Sequence, residues 1–309
     1  MILVSGEALV DLIPDAHVEN RYDAVLGGSP YNVAIGLGRL GADVAFLSRL
    51  SGDANGDALA AALVADRVDL SLAARDKRPT PLAFVMRGTA QTGSRYSFYL
   101  GDTAYDGAWP FPAVWPAKAR HLHVGSFSAL DPRHNQQVLD ALARAQGALT
   151  TSFDPNVRPH VTPDRDAVLA IVEKQVRLAG FVKASEEDLE WLYPGRSAEE
   201  SLKVWAAMGP HFGIATLGGK GAVAYVGGER LVVAPRKVEV VDTVGAGDSF
   251  TSALLFAMER DGALGGSAIK PTPGRLAAWA DFAAAASAIT CTRRGSNPPT
   301  LVEIEAATQ

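Results

Sequence analysis

Nine residues late in the chain, DTVGAGDSF at 242–250, set an acid directly after a glycine-rich turn and before the apolar-periodic stretch TSALLFAM. Gly245 and Gly247, with Ala246 between them, let backbone N–H groups turn toward one point, and the positive end of the following helix adds to the attraction for an anion. Asp248 then stands in the first helical turn, beside that anion hole. A carboxylate so placed can take the proton of an attacking hydroxyl while the amides of residues 245–247 stabilise charge on a transferred phosphoryl group. The same acid, or Asp242, would also serve as a helix cap, and the local sequence leaves both roles open.

A second segment, GGSPYNVAIGLGRLG at 27–41, reads as a glycine pair, Ser29 as N-cap, Pro30 as the first helical residue and an apolar helix closing at Gly41. Gly27 and Gly28 permit a ligand to press against the main chain. Asn32, one turn in, offers donor and acceptor to hydroxyls, and Asp11, after the first strand, offers a bidentate acceptor. Within this segment GLGRLG matches the dinucleotide fingerprint by spacing only, because its first glycine falls inside a helix rather than in the turn after a strand. A Walker loop is absent as well, since no glycine stands five residues before Gly219-Lys220. DPNVR, 154–158, ends a strand, where open α/β sheets bind ligands, and the planar fork of Arg158 suits it to bridging sugar and phosphate oxygens. The six histidines show no nucleophile or ligand spacing, and the five tryptophans read as packing anchors, with Trp109 a candidate to close a sugar site.

These groups need a scaffold. In 309 residues, strand-like runs at 2–6, 44–50, 121–126, 149–154, 180–185 and 212–217 alternate with helix-patterned stretches, which predicts an α/β fold with a mainly parallel sheet. Residues 221–233 and 238–241 read as further strands, 244–260 and 275–290 as helices, and 262–274 as a Gly/Pro-rich connector. Two stretches break the alternation: 12–27, and 81–101, where LAFVMRG and SRYSFYL are joined by TAQTG. They are expected to form a small separate sheet acting as a lid over the strand ends, within a single domain spanning 1–309. Hydrophobic residues at 48% and charged residues at 20% suit a globular protein with a substantial core. A net charge of −5, with no run of like charges, argues against a nucleic-acid partner. One cysteine, no export signal and no long apolar run lead to the expectation of a cytoplasmic protein without a membrane partner.

Taken together, GGSPYNVAIGLGRLG and DTVGAGDSF, in this order and at this separation, resemble the two signatures of the ribokinase-like (PfkB) carbohydrate kinases over nearly the whole chain. DPNVR resembles the Asp-Pro-Asn-x-Arg segment of fructokinases and of 2-keto-3-deoxygluconate kinases. The resemblance implies a doubly wound sheet with helices on both faces and a β-sheet lid. It also implies transfer of the γ-phosphoryl of ATP to a sugar or nucleoside hydroxyl, with Mg²⁺ and, optionally, a monovalent cation. Asp248 matches the base, Gly245, Ala246 and Gly247 the anion hole, and Arg158 a further phosphoryl contact. Sugar contacts fall to Asp11, Gly27, Gly28 and Asn32, with Arg95 and Asn156. Nucleotide contacts fall to Lys183, Ser185, the TLGGKG loop (Thr216, Gly218, Gly221) and the turn glycines 245 and 247; a hairpin turn accounts for that loop equally well. Where many members carry Asn-x-x-Glu supporting Mg²⁺ through water, this chain has Ser185 and Asp188, with Glu187 beside them, and Ser185 with Asp188 also makes a capping box. Exposed lid edges make a homodimer an expectation.

For the acceptor, Leu100 follows Tyr99 where an arginine would have met an acid, leaving Arg95 and Arg87 as the nearby cations. That favours a neutral ketohexose, and so a fructokinase, over a 2-keto-3-deoxygluconate kinase. Nucleoside kinases share the signatures, and a sugar-responsive binding protein without catalysis is the reading from another class.

Overall fold

In the computed structural model the described residues are 1–15, 17–86, 95–266 and 269–308, with the backbone alone described at Arg95 and Thr308. From the N terminus the elements are β1 (Ile2–Ser5), β2 (Leu9–Pro14), β3 (Tyr22–Gly27), α1 (Ser29–Leu40), β4 (Val44–Leu47), β5 (Arg49–Ser51), α2 (Ala54–Ala65), β6 (Ala74–Asp76), β7 (Leu82–Met86) and β8 (Arg95–Tyr99). They continue with β9 (His121–Gly125), α3 (Ser126–Leu130), α4 (Asn135–Ala145), β10 (Thr150–Asp154), α5 (Arg165–Leu178), β11 (Phe181–Ser185), α6 (Glu186–Leu192), α7 (Ala198–Ala206) and β12 (Phe212–Thr216). The chain closes with β13 (Ala222–Val226), β14 (Glu229–Val233), α8 (Ala246–Arg260), α9 (Pro273–Cys291) and α10 (Leu301–Thr308).

Eight strands form one sheet in the order β14-β13-β12-β11-β10-β9-β1-β4, with β4 through β12 parallel and β13 and β14 antiparallel at one edge. Period-two alternation builds a core on each face. Ile2, Val4, Val44, Phe46, Phe181 and Ile214 pack beneath α1, α8 and α9, while Leu3, Leu47, Leu122, Phe153, Val182 and Ala215 pack against α4, α5, α6 and α7. The doubly wound, mainly parallel architecture expected from the alternation is therefore present. Strand order reverses between β1 and β9, and in such sheets the crevice for ligands opens at the carboxyl ends of the strands flanking that reversal.

A separate four-stranded sheet has the order β3-β2-β7-β8. It covers the two stretches that broke the alternation, although its first strand begins at Leu9 rather than residue 12. The TAQTG connection lies outside the described residues. One face of this sheet carries Asp11, Tyr96 and Phe98, with Phe98 against Phe127 of α3 (ring centroids 5.2 Å apart).

Several expectations need correction. Residues 44–50 form two strands, because Ser48 leaves the ladder to donate its hydroxyl to Gly6 O (2.7 Å). The run 221–233 is a hairpin, turned at Gly227 and Gly228, both at positive φ. Residues 238–241 are not a strand: the segment is exposed, and the N–H groups of Val241 and Asp242 donate to Cys291 O instead of to a sheet. In the 262–274 connector, residues 267–268 lie outside the described residues. Ser29 is not the N-cap of α1; that position belongs to Gly28 (φ 113°), and the serine hydroxyl is engaged elsewhere.

Candidate active site

Helix α8 begins at Gly245, which adopts left-handed backbone angles (φ 77°) and has no room for a side chain, since a Cβ would lie 2.2 Å from Ser296 Oγ. The N–H of Ala246 closes the turn on Thr243 O (3.2 Å). Among the described residues the N–H groups of Gly247 and Asp248 have no protein acceptor, so two of the donors at this helix start are left for a ligand. Asp248 does not cap. Its Oδ1 accepts from Ser29 Oγ (2.6 Å) and its Oδ2 from Asn32 Nδ2 (2.8 Å), across the crossing of α1 and α8. Burial holds its carboxyl above the usual aspartate range, opposed by those two hydrogen bonds and by Lys183, and reinforced by the charge of Asp154. A carboxyl with a raised proton affinity is suited to general-base work in its ionised form.

The glycine pair serves the protein's own close contacts. A Cβ at Gly28 would meet Glu7 O at 2.5 Å, and one at Gly27 would meet Asp11 Oδ2 at 2.6 Å, so the bare backbone lets the entry to α1 lie against β2 and the turn after β1. Asp11 is driven up to about 6 by burial, with Arg158 opposing. Arg158 also acts on Glu7 and Asp188, which makes it the cation common to this group of carboxylates. It is half-buried and anchored locally, donating to Asn156 O (3.3 Å) and Val157 O (3.0 Å), with Asn156 itself in a left-handed conformation (φ 37°). Arg95 pairs with Met86 in the β7–β8 ladder, but its side chain, like Arg87, lies outside the described residues. Trp109 is buried among Tyr105, His134 and their neighbours, as a packing anchor.

On the other side of α8, Lys183 of β11 donates to Asp154 Oδ2 (2.7 Å), both side chains being buried. Ser185 and Asp188 do form a capping box at α6; Asp188 Oδ1 also accepts the Val157 N–H (2.7 Å), so both its oxygens are engaged. Glu187 is exposed. The TLGGKG segment joins antiparallel β12 and β13, so its backbone is a hairpin connection, with Gly218 and Gly221 at positive φ and Lys220 paired to Glu186 (2.8 Å). Thr216 ends β12 beside β11. Among the described residues no three potential ligands cluster as a metal centre. The charge pattern nonetheless fits Mg²⁺ entering on phosphates: Asp154, Asp188 and Asp248 are buried carboxylates against one buried ammonium, and such a cation needs only one or two oxygen donors from protein.

Three participants escaped the sequence reading. Ser29 looked like a cap, and only the fold brings it 219 positions along the chain to Asp248. Glu7, buried and pushed up to about 7 by burial, accepts the Ser29 N–H (3.3 Å); its sole signal was an acid directly after an apolar strand. Asp154 was visible only as part of DPNVR.

Residues 1–302 match the pfkB family carbohydrate kinases. A fructokinase of Rhizobium leguminosarum bv. trifolii is 33% identical over 269 residues, covering 85% of this chain and 81% of its own. Fructokinase-1 of Oryza sativa subsp. japonica is 32% identical over 318 residues, 99% of this chain and 96% of its own. Among solved structures, the fructokinase of Vibrio cholerae O395 in its fructose, ADP and calcium ion bound form superposes with a TM-score of 0.84 at 28% identity, over 99% of this chain and 97% of that one. With both signature segments meeting at one buried carboxylate and the match running almost end to end, the chain belongs to the pfkB family of carbohydrate kinases.

Proposed function

We propose that this protein is an ATP-dependent fructokinase, transferring the γ-phosphoryl of ATP to the primary hydroxyl of D-fructose to give fructose 6-phosphate. The observation that carries the reading is Asp248: buried, held by Ser29 and Asn32, and seated beside the acceptor-free N–H groups at the start of α8. The relatives named as fructokinases support the ketohexose. The acceptor hydroxyl lies between Asp248 and Arg158; its proton passes to a carboxylate oxygen of Asp248 as the oxygen attacks phosphorus in line. The turn at 245–247 and Arg158 hold the phosphoryl oxygens, Asp11, Asn156 and the α1 entry hold sugar hydroxyls, and Thr216, Gly218, Gly221 and Ser185 line the nucleotide side. Glu187 and Asp188 would hold Mg²⁺ through water, and the cation would there neutralise phosphate charge. A monovalent cation is an optional companion, because a potassium-bound fructokinase is among the structural neighbours.

The four-stranded sheet is read as a lid of the single domain, its Asp11–Tyr96–Phe98 face toward the sugar. Its opposite face carries Tyr22, Phe84 and Tyr99 in edge-to-face contact (5.5 and 5.4 Å), with Tyr22 and Tyr99 exposed, and supports a homodimer through that face. A reducing compartment, the cytoplasm, suits the single thiol. The test is ADP release with Mg²⁺·ATP over a panel of fructose, 2-keto-3-deoxygluconate and nucleosides. Fructose should turn over fastest; faster turnover of the keto-deoxy acid or of a nucleoside reassigns the acceptor. Asp248→Asn should retain ADP and sugar binding and lose on the order of 10²–10⁴ in kcat, and full activity in that variant rejects the mechanism.

A further inference from the structure

Helix α1 starts without a cap of its own. Its N-cap position is Gly28, which has no side chain to offer, and no acid stands in its first turn, whereas α2, α5, α6, α7 and α9 each begin on an Asp, Ser or Thr that accepts from the helix. The missing acceptor comes from 22 residues upstream, where Glu7 Oε1 takes the Ser29 N–H (3.3 Å). Two bare positions make that contact. A Cβ at Gly6 would lie 2.3 Å from Pro30 Cγ, and Gly28 lies against Glu7 O, so the turn after β1 packs directly on the first turn of α1. Glu7 is 1% exposed, and its Oε2 is buried with no hydrogen-bond partner among the described residues. An acid so enclosed touches neither sugar nor nucleotide, and it is costly to bury. Burial raises its proton affinity, so a proton can sit on Oε2, near the hydroxyls of Ser126 and Ser128, while Oε1 still accepts. The residue that Glu7 grips is the informative one. Ser29 has its backbone on Glu7 and its hydroxyl on Asp248 Oδ1 (2.6 Å).

We propose that Glu7 is a positioning residue for the phosphoryl transfer: it caps α1 from the turn after β1 and so fixes the direction in which the Ser29 hydroxyl meets Asp248. This rests on the kinase reading above, with Asp248 as the base. Glu7 moves no proton in the step. The two groups that hold the Asp248 carboxyl, Ser29 and Asn32, both come from the start of α1, and Glu7 pins that start to the end of β1. Holding one peptide group still therefore holds the base, and a base displaced by a fraction of an ångström transfers a proton less well.

Two single variants separate reach from charge. Glu7→Asp keeps the acid but falls one methylene short of Ser29, and Glu7→Gln keeps an Oε1 that accepts but cannot ionise. With fructose and Mg²⁺·ATP, Glu7→Asp should lose about tenfold in kcat, the worth of one hydrogen bond to a charged group, with KM for both substrates held. Glu7→Gln should recover most of that loss. A cycle with Ser29→Ala distinguishes positioning from a purely structural role. With the serine hydroxyl gone, adding Glu7→Asp should lower unfolding stability again but leave kcat where Ser29→Ala put it. Wild-type kcat in Glu7→Asp overturns the inference, as does a Glu7→Gln as impaired as Glu7→Asp, or a Glu7→Asp loss in kcat that is the same with and without the hydroxyl. One readout needs no turnover. By hydrogen exchange in the protein without substrates, the Ser29 amide should lose protection in Glu7→Asp and keep it in Glu7→Gln; unchanged protection in Glu7→Asp overturns the inference. Failure of the kinase reading looks different: wild-type protein that releases no ADP with any acceptor overturns both, even with the Ser29 amide still responding to Glu7→Asp.

Discussion

Asp248 has two opposed influences on its proton. Burial raises its affinity, and the hydrogen bonds from Ser29 and Asn32 lower it because they favour the ionised form. Removing the serine hydroxyl should therefore raise it further. In Ser29→Ala the acid limb of the kcat/KM pH profile should move to higher pH by about one unit, since a hydrogen bond to a charged group is worth roughly 1.5 kcal/mol or more; an unmoved limb would mean that Ser29 does not hold the base during turnover. Glu7 makes a prediction about folding. Its proton affinity is raised to about 7 from 4.5, so the folded state favours the protonated form. The associated stability is full below pH 4.5 and is lost as pH rises through 7. Glu7→Gln, which cannot ionise, should gain on wild type across that window, by up to roughly 3 kcal/mol at alkaline pH, as read from denaturant unfolding at a series of pH values. A flat difference would show that Glu7 is not the titrating group.

At the scale of elements, the crossing of α1 and α8 brings Asp248 together with Ser29 and Asn32, and small residues set its closeness. A Cβ at Gly36 would lie 2.4 Å from Ser252 Oγ, and one at Gly38 would lie 1.9 Å from Asp66 O. Gly36 and Gly38 thus serve close contacts of α1 with α8 and with the chain after α2, and Gly41 supplies the left-handed C-cap of α1 (φ 91°), which is how dinucleotide spacing arises from helix packing and capping. Gly36→Ala should cost about 1–3 kcal/mol through overpacking and also lower kcat, because spreading the helices draws Ser29 and Asn32 from Asp248; Ser252→Gly in the same chain should restore both. Which elements exist was legible in the sequence wherever apolar periodicity was strong, as in β9 to β12, α8 and α9. It failed at residues 238–241, where alternating valines remain in solvent, and at Ser29, where the bare glycine before it already ends the helix. Side-chain partners across elements, such as Lys183 with Asp154, leave no mark in local spacing, because they depend on which strands become neighbours.

For the molecule as a whole, the reversal of strand order between β1 and β9 decides where the chemistry sits. Glu7 follows β1, and Asp154, Ser185 and Thr216 end β10, β11 and β12, so the carboxyl edge of one sheet collects residues from across the chain. Sequence reading reached this edge through its two glycine-rich segments and DPNVR, and could not reach the polar seam beneath α8, where His121 and His123 share Ser152 Oγ (2.8 Å each). His123 is driven down to about 3 by burial, with Lys183 adding to the effect, and is neutral at physiological pH. The aromatic face of the four-stranded sheet carries the prediction at this scale. Tyr22→Lys with Tyr99→Lys should convert a dimer to a monomer in analytical ultracentrifugation, and a species of unchanged mass would place any association elsewhere.

The hydrogen bond between Ser29 and Asp248 closes a circuit between the two ends of the polypeptide. A ribosome that has released only the first two hundred and forty residues has therefore released every strand of the eight-stranded sheet but not Asp248, the proposed base. With Asp248 as the proposed base, phosphorylation waits on the last helices, so a truncated translation product is expected to be inert rather than a partly active enzyme wasting nucleotide.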